Sequence, residues 1–534
     1  MIVPEQWPWQ AARPHAERLA HTVRPLLARA ARAAGPPLAA VRGQLGRLPR
    51  RGPLTTLQYT AAASAAGLAL AVGVASAAGP WDATGRRIAE RDRAAALDHP
   101  GSRTPRTGTS GSGTAAGEPR PAASAPPVLA AAGAATGTVG TKKAPPGAKP
   151  LGDVLKPLLA SPALGDARAA SVVDVATGRR LYGSGTGTPL TPASTTKIAT
   201  AVAALSALGP DHRLTTRTVY EPDTGELVLV GGGDPTLTAH ASSGGWASLR
   251  TLATRTAAAL TDRGIREVKL SYDTTLYAGD ALHPIGVNDN IAPVSALSAD
   301  EGRTDGSSSG PVTRVADPAA DAAGRFAGFL ERHGVTTTAP GPSRATTRAR
   351  TLASVVSPPL SAVVERMLTN SDNDIAEALA RQTALGTGRA ASFAGGARAV
   401  QDQLKRLGLP VTGASFHDGS GLDRADRLSA GLLTALLVEA ADPARPGLRT
   451  VLTGLPVAAF TGTLSSRYGG DGAAGLVRAK TGTLTGVNTL AGTVVDTDGH
   501  LLAFAFMASG TTDPQAAQSA LDHAATALAG CGCR

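Results

Sequence analysis

Cysteine, lysine and aromatic residues are all scarce in this chain, and each scarcity closes off a class of explanation. Among 534 residues the only cysteines are Cys531 and Cys533, too few for a disulfide framework. As a C-x-C pair they form either surface thiols or a local bridge. Aromatic side chains make up 3% of the chain, and no basic patch is interleaved with them, which argues against a nucleic-acid partner. No His/Cys/Asp cluster has metal-ligand spacing, so neither a metal nor an organic cofactor is implied. Lysine is used 8 times against 44 for arginine. The net charge of +11 is also unevenly spread, because residues 1–53 hold nine arginines against two glutamates.

Charge and proline are both missing between Tyr59 and Ala78. About 20 such residues span a bilayer as a helix. Arginines before the span and few after it place the N-terminus in the cytoplasm and everything downstream outside. Ala75-Ser76-Ala77 would suit cleavage of a secretory signal, but the charged leader is far longer than an ordinary one, which favours an uncleaved anchor in the cytoplasmic membrane. The reading is therefore a basic cytoplasmic segment over residues 1–53, a transmembrane anchor over 54–79 and a linker over 80–150. The linker is Ala, Gly, Pro, Ser and Thr with hardly any large apolar residue, a composition that cannot bury enough surface to fold.

The folded part starts near Leu151. Residues 167–185 read as two short strands turning at Ala176-Thr177-Gly178, and residues 475–510 as three more, the last two joined through Asp496-Thr497-Asp498-Gly499. A closing helix begins at Asp513-Pro514, a cap followed by a first-turn proline. Helical patterns fill residues 358–370 and 374–386. Strands at both ends with helices between them predict an α+β core, one antiparallel sheet in which the terminal strands pair. Residues 211–357 alternate strand and helix signals and read as an inserted domain. The core would then comprise 151–210 and 358–534. No internal repeat is present in the folded part.

Three short motifs carry chemistry. In TPASTTKIATAVAALSALGP (191–210), Ser194 stands at a helix start and Lys197 one turn on, on the same face. A serine hydroxyl is a weak nucleophile until a neighbouring base takes its proton, and a lysine serves if burial lowers its proton affinity. Taken alone, the pattern is better explained by a capping serine followed by a surface lysine. Lysine usage shifts the balance. After residue 157 only Lys197, Lys269, Lys405 and Lys480 remain, and a guanidinium cannot act as a base. Lys480-Thr481-Gly482 falls in AKTGTLTG (479–486), on a strand running to a sheet edge, where it offers a cation, a hydroxyl and, at glycine, close backbone approach to a ligand. Ser371-Asp372-Asn373 lies between two helical patterns, where caps are common.

S-x-x-K, then S-D-N, then K-T-G is the set used by penicillin-binding proteins and class A β-lactamases. Residues from about 151 to 530 resemble one family among them, the low-molecular-mass penicillin-binding proteins of peptidase family S13, D-alanyl-D-alanine carboxypeptidase/endopeptidases. GGGDPTL (231–237), HDGSGLDR (417–424) and the 177 positions between Ser194 and Ser371 support that family over its relatives. The two glycine-containing stretches read as turns rather than catalytic groups, and Asp372 as a capping residue. The insert is shorter than in fuller members, so a third nested domain is expected to be reduced or missing.

The resemblance implies roles. Ser194 would be acylated, with Lys197 its base; Ser371 and Lys480 would relay the proton to the leaving D-alanine, and Asn373 would position the substrate amide. Thr481 and Thr483 would hold the terminal carboxylate beside Gly482, and the backbone N–H groups of Ser194 and Thr483 would form the oxyanion hole. Lys480 is also expected to help depress the proton affinity of Lys197. The implied partners are a peptidoglycan stem peptide ending in D-Ala-D-Ala and β-lactams as covalent inhibitors. Two alternatives stand beside this: a β-lactamase or related serine esterase, and a catalytically silent wall-binding scaffold.

Overall fold

The computed structural model describes residues 150–532 with the exception of residue 471. The basic segment, the proposed membrane span, almost all of the linker and Cys533 lie outside the described residues. Among the described residues no helix is long and apolar enough to cross a membrane. Cys531 is disulfide-bonded.

The helices, in chain order, are α1 (Leu151–Leu159), α2 (Thr196–Leu208), α3 (Leu249–Thr261), α4 (Pro318–Glu331), α5 (Leu360–Asn370), α6 (Asn373–Gly386), α7 (Phe393–Arg406), α8 (Ala430–Ala441), the single turn α9 (Thr450–Thr453) and α10 (Pro514–Ala529). The strands are β1 (Ala167–Asp174), β2 (Arg180–Ser184), β3 (Thr215–Glu221), β4 (Glu226–Val230), β5 (Glu267–Asp273), β6 (Thr336–Thr337), β7 (Gly341–Pro342), β8 (Arg350–Val356), β9 (Val477–Leu484), β10 (Val487–Val495) and β11 (Leu501–Ser509).

A five-stranded antiparallel sheet, ordered β2-β1-β11-β10-β9, forms the centre of the fold. N- and C-terminal strands pair as expected, with Ala167 opposite Ser509 and Asp174 opposite Leu502. Side chains alternate across a strand, and β11 shows what each face covers. Leu502, Phe504, Phe506 and Ala508 pack with α1 and α10, while Ala503, Ala505 and Met507 pack with α2 and the helices around it. The second face is rich in alanine, which lets helices lie close to the sheet. α2 is buried over Thr196–Leu205, as an apolar, alanine-rich helix without a polar face must be. This helix carries Lys197 into the interior.

Residues 211–357 build a second sheet, ordered β6-β5-β4-β3-β8, with β7 also paired to β5. β4, β5 and β6 run parallel because α3 and α4 supply the crossovers, and these helices share one core with Leu227, Leu229, Leu270 and Val268. Between β5 and α4, residues 274–317 contain only one 3-10 turn. A connection that long within a compact region is usually functional, and here it runs to the cleft described next.

Candidate active site

Ser194 sits in a 3-10 turn (Ala193–Thr195) that leads into α2. Ala193 has φ 48°, a left-handed conformation that costs a non-glycine residue roughly 1–3 kcal/mol and must be imposed by its surroundings. Two glycines impose it. A Cβ at Gly421 would overlap the Ala193 carbonyl, and one at Gly482 would overlap Thr489 Oγ1 and the Pro192 carbonyl. The Ser194 turn is thus gripped between the loop 417–424 and strand β9.

Lys197 is fully buried, and its Nζ has three partners: Ser194 Oγ at 3.0 Å, Asn373 Oδ1 at 2.6 Å and the Ser420 carbonyl at 2.7 Å. Two of these are oxygens that only accept. A neutral amine satisfies all three, donating its two N–H groups to Asn373 and Ser420 and taking the Ser194 hydroxyl proton on its lone pair. Burial brings that state within reach near neutral pH: it pulls Lys197 down to about 8, although Asp418, Glu377, Asp372 and Asp374 all push the other way. Lys480 was expected to lower Lys197, but desolvation dominates instead. The like-charge effect is evident on Lys480, held well below its ordinary value first by burial and then by Lys197.

The second motif turns sharply at Ser371, with φ 60°, where α5 ends. Asp372 caps α6, accepting from the Ile375 N–H at 3.0 Å. Ser371 Oγ lies 2.7 Å from Lys480 Nζ, which also donates to the Thr481 carbonyl at 2.8 Å. Asn373 is held at both ends, its Nδ2 donating to the Asn290 carbonyl at 3.0 Å. Strand β9 is the edge of the central sheet. Gly482 is buried against the Ser194 turn. Ser194, Ser371, Asn373, Thr481 and Thr483 therefore line one cleft of ≈ 300 Å³, with Lys197 and Lys480 buried behind Ser194 and Ser371. A hollow of similar size, ≈ 330 Å³, lies beside α1, β1 and β2 and brings none of them together.

Several cleft residues carried no legible motif. Thr463 Oγ1 lies 2.9 Å from Thr481 Oγ1 and extends the row of hydroxyls. From the insert come Asn290, Arg303, Ser309, Pro311 and Arg314. Arg314 donates to Asp374 Oδ2 at 2.8 Å, and the Ala292 N–H donates to Asp374 Oδ1 at 2.9 Å. The insert thus holds the start of α6 in place. HDGSGLDR is a glycine-dependent turn, as read, yet its Ser420 carbonyl is a direct partner of the lysine. Glu377 contacts the same loop, and its place four residues after Asn373, on one helix face, was a signal available in the sequence.

The sequence model of the D-Ala-D-Ala carboxypeptidase 3 (S13) family matches residues 151–309 and 304–528. A carboxypeptidase DacB of Mycolicibacterium smegmatis is 38% identical over 405 residues, covering 72% of this chain and 84% of that one. A D-alanyl-D-alanine carboxypeptidase of Actinomadura sp. is 31% identical over 444 residues, covering 67% and 80% respectively. Among solved structures, penicillin binding protein 4 of Haemophilus influenzae aligns with a TM-score of 0.56 at 22% identity, over 68% of this chain and 94% of that chain. At that identity the likeness establishes the α+β fold.

Proposed function

Because the chain belongs to the D-Ala-D-Ala carboxypeptidase 3 (S13) family, we propose that its cleft cleaves the bond between the two D-alanines ending a peptidoglycan stem peptide, and the related D-alanyl cross-link. The enzyme is a serine-type D-Ala-D-Ala carboxypeptidase/endopeptidase. The observation that carries the mechanism is the set of partners around Lys197 Nζ, which suits a neutral amine facing a hydroxyl.

In this reading Ser194 Oγ attacks the carbonyl carbon of the penultimate D-alanine while its proton passes to Lys197. The backbone N–H groups of Ser194 and Thr483 receive the oxyanion. Collapse breaks the C–N bond, and the proton held by Lys197 passes on through Ser371 and Lys480, which lie within hydrogen-bond reach of each other, to the leaving amine, so that Lys197 is neutral again. Water then attacks the ester, Lys197 accepting its proton and returning it to Ser194 Oγ as the acyl group leaves. Thr481 and Thr483 hold the terminal carboxylate. An arriving carboxylate also favours the ammonium form of Lys480, offsetting the effect of burial. β-Lactams present a carbonyl and a carboxylate to the same groups and acylate Ser194.

The catalytic region works outside the cytoplasmic membrane in this reading, tethered by residues 54–79 with the linker as a stalk. The arginine excess before the span and the extracytoplasmic place of the substrate support it. The direct test is release of free D-alanine from a synthetic stem peptide ending in D-Ala-D-Ala, with wild-type chain active and Ser194→Ala inert. No release by folded wild-type protein would contradict the assignment.

A further inference from the structure

The first part of the loop that leaves β5 exposes large apolar residues, with Leu282 and Ile285 each 44% exposed and Val287 91%. His283, in their midst, is 1% exposed. It is buried in the catalytic half of the molecule, edge-on to Phe393 of α7 at 5.1 Å and 84°. Its Nδ1 accepts from the Ile285 N–H at 3.3 Å, which leaves Nε2 as the donor to Asp418 Oδ2 at 3.1 Å. The loop is also fastened nearby, where Arg381 of α6 donates to the Ala278 and Asp280 carbonyls at 3.0 Å each.

Asp418 transmits this anchor to the general base. Its Oδ1 accepts from the Gly421 N–H at 2.7 Å, and its Oδ2 accepts from the Asp423 N–H at 2.8 Å and from Ser420 Oγ at 3.0 Å. Glu377 Oε1 accepts from the N–H groups of Gly419 at 3.0 Å and Ser420 at 2.8 Å. These bonds fix the peptide whose carbonyl lies 2.7 Å from Lys197 Nζ. His283, Glu377 and Asp418 bring ligand-type atoms within 4.8 Å of one another, but these bonds already engage both Asp418 oxygens and Glu377 Oε1.

We infer that His283 and Glu377 are positioning residues for the acylation step: through Asp418 and the backbone of residues 419–421 they fix the Ser420 carbonyl against Lys197, so that a loop of the inserted region sets the geometry and charge around the general base. This rests on the reading of Lys197 as that base. Charge supports it. Burial raises Glu377 to about 7, with Asp418 adding to the effect. Asp418 is lowered to about 2, because His283 and the backbone amides outweigh its burial. Burial pulls His283 down, but Asp418, Glu377 and Asp423 raise it further.

The carboxylates facing Lys197 are Asp418, Glu377, Asp372 and Asp374, and its like-charged neighbour is Lys480. Asp426 also faces Asp418, and Arg381 faces Glu377. Asp418 and Glu377 both raise the proton affinity of Lys197. Removing the Glu377 charge lowers that affinity. Removing the His283 donor leaves Asp418 less compensated and raises it. The two changes therefore act in opposite directions.

The test is the rate of acylation of the full-length chain by a fluorescent penicillin as a function of pH. Glu377→Gln moves the rising limb to lower pH by about one unit. His283→Leu moves it to higher pH and lowers the plateau about tenfold through misplacement of the base. His283→Gln, which keeps a donor near the Nε2 position, restores both. A merely structural role would reduce the folded fraction without moving the limb. If His283→Leu does not fold, the limb of Glu377→Gln decides the matter. Limbs that coincide with wild type in variants that melt like wild type overturn the inference. A folded wild type that is never acylated overturns instead the reading of the cleft on which it rests.

Discussion

The two walls of the cleft each bury one lysine completely, and they treat it differently. On the helical wall Lys197 meets a hydroxyl, an amide oxygen and a peptide carbonyl, with four carboxylates behind it. On the sheet wall Lys480 meets the Ser371 hydroxyl and the Thr481 carbonyl, beside threonines at the cleft mouth. Both lose proton affinity to burial. What separates them is what each faces: Lys197 faces the Ser194 hydroxyl and is enclosed by the cleft's interior. Lys480 lies where an incoming carboxylate can restore its charge. The pair shows how one residue type takes two roles from its surroundings alone.

Exchanging each lysine for methionine gives the largest expected effect and breaks the comparison most cleanly. Lys197→Met lowers acylation by benzylpenicillin about 10³-fold or more, the range of a lost general base. Lys480→Met lowers it about 10²-fold, and a substrate whose terminal carboxylate is esterified loses less, because in the proposed mechanism that carboxylate meets the charge of Lys480. Equal losses on both substrates would erase the distinction between the walls.

Gly482→Ala comes next. The added methyl has no room against Thr489 and Pro192, so the nucleophile turn shifts. Acylation falls about 10²-fold, the signature of displaced reacting groups, and the melting temperature falls by a few degrees, since overpacking a buried site costs about 1–3 kcal/mol. Unchanged acylation would show that the grip of β9 on the turn is unimportant. Thr463→Ala is the mildest change. It removes one hydrogen bond to Thr481 and raises KM for the peptide about fivefold with kcat retained, which steady-state D-alanine release measures.

The motif residues were legible because their chemistry restricts residue type. In a chain that prefers arginine, Lys197 and Lys480 stand out as amines that could not be exchanged, and Ser194 precedes a helix whose periodicity is plain. The central sheet was legible for a related reason, since β1, β10 and β11 are short β-rich runs bounded by turn residues. The supporting residues were not. His283 lies in an irregular loop, and its burial arises only when that loop docks on α6 and α7. Thr463 belongs to a 3-10 turn with no periodicity. Arg314 meets Asp374 across 60 positions of sequence, a pairing that nothing local announces. Local pattern encodes the groups that react, whereas tertiary packing selects those that hold them.

The central claim, that Ser194 is the acylated nucleophile activated by Lys197, is tested most directly by the intact mass of the full-length chain after exposure to benzylpenicillin, beside Ser194→Ala. The account predicts a persistent gain of one intact drug molecule on wild type and none on the variant. An adduct on both proteins, or neither adduct nor drug turnover with folded wild type, would contradict it.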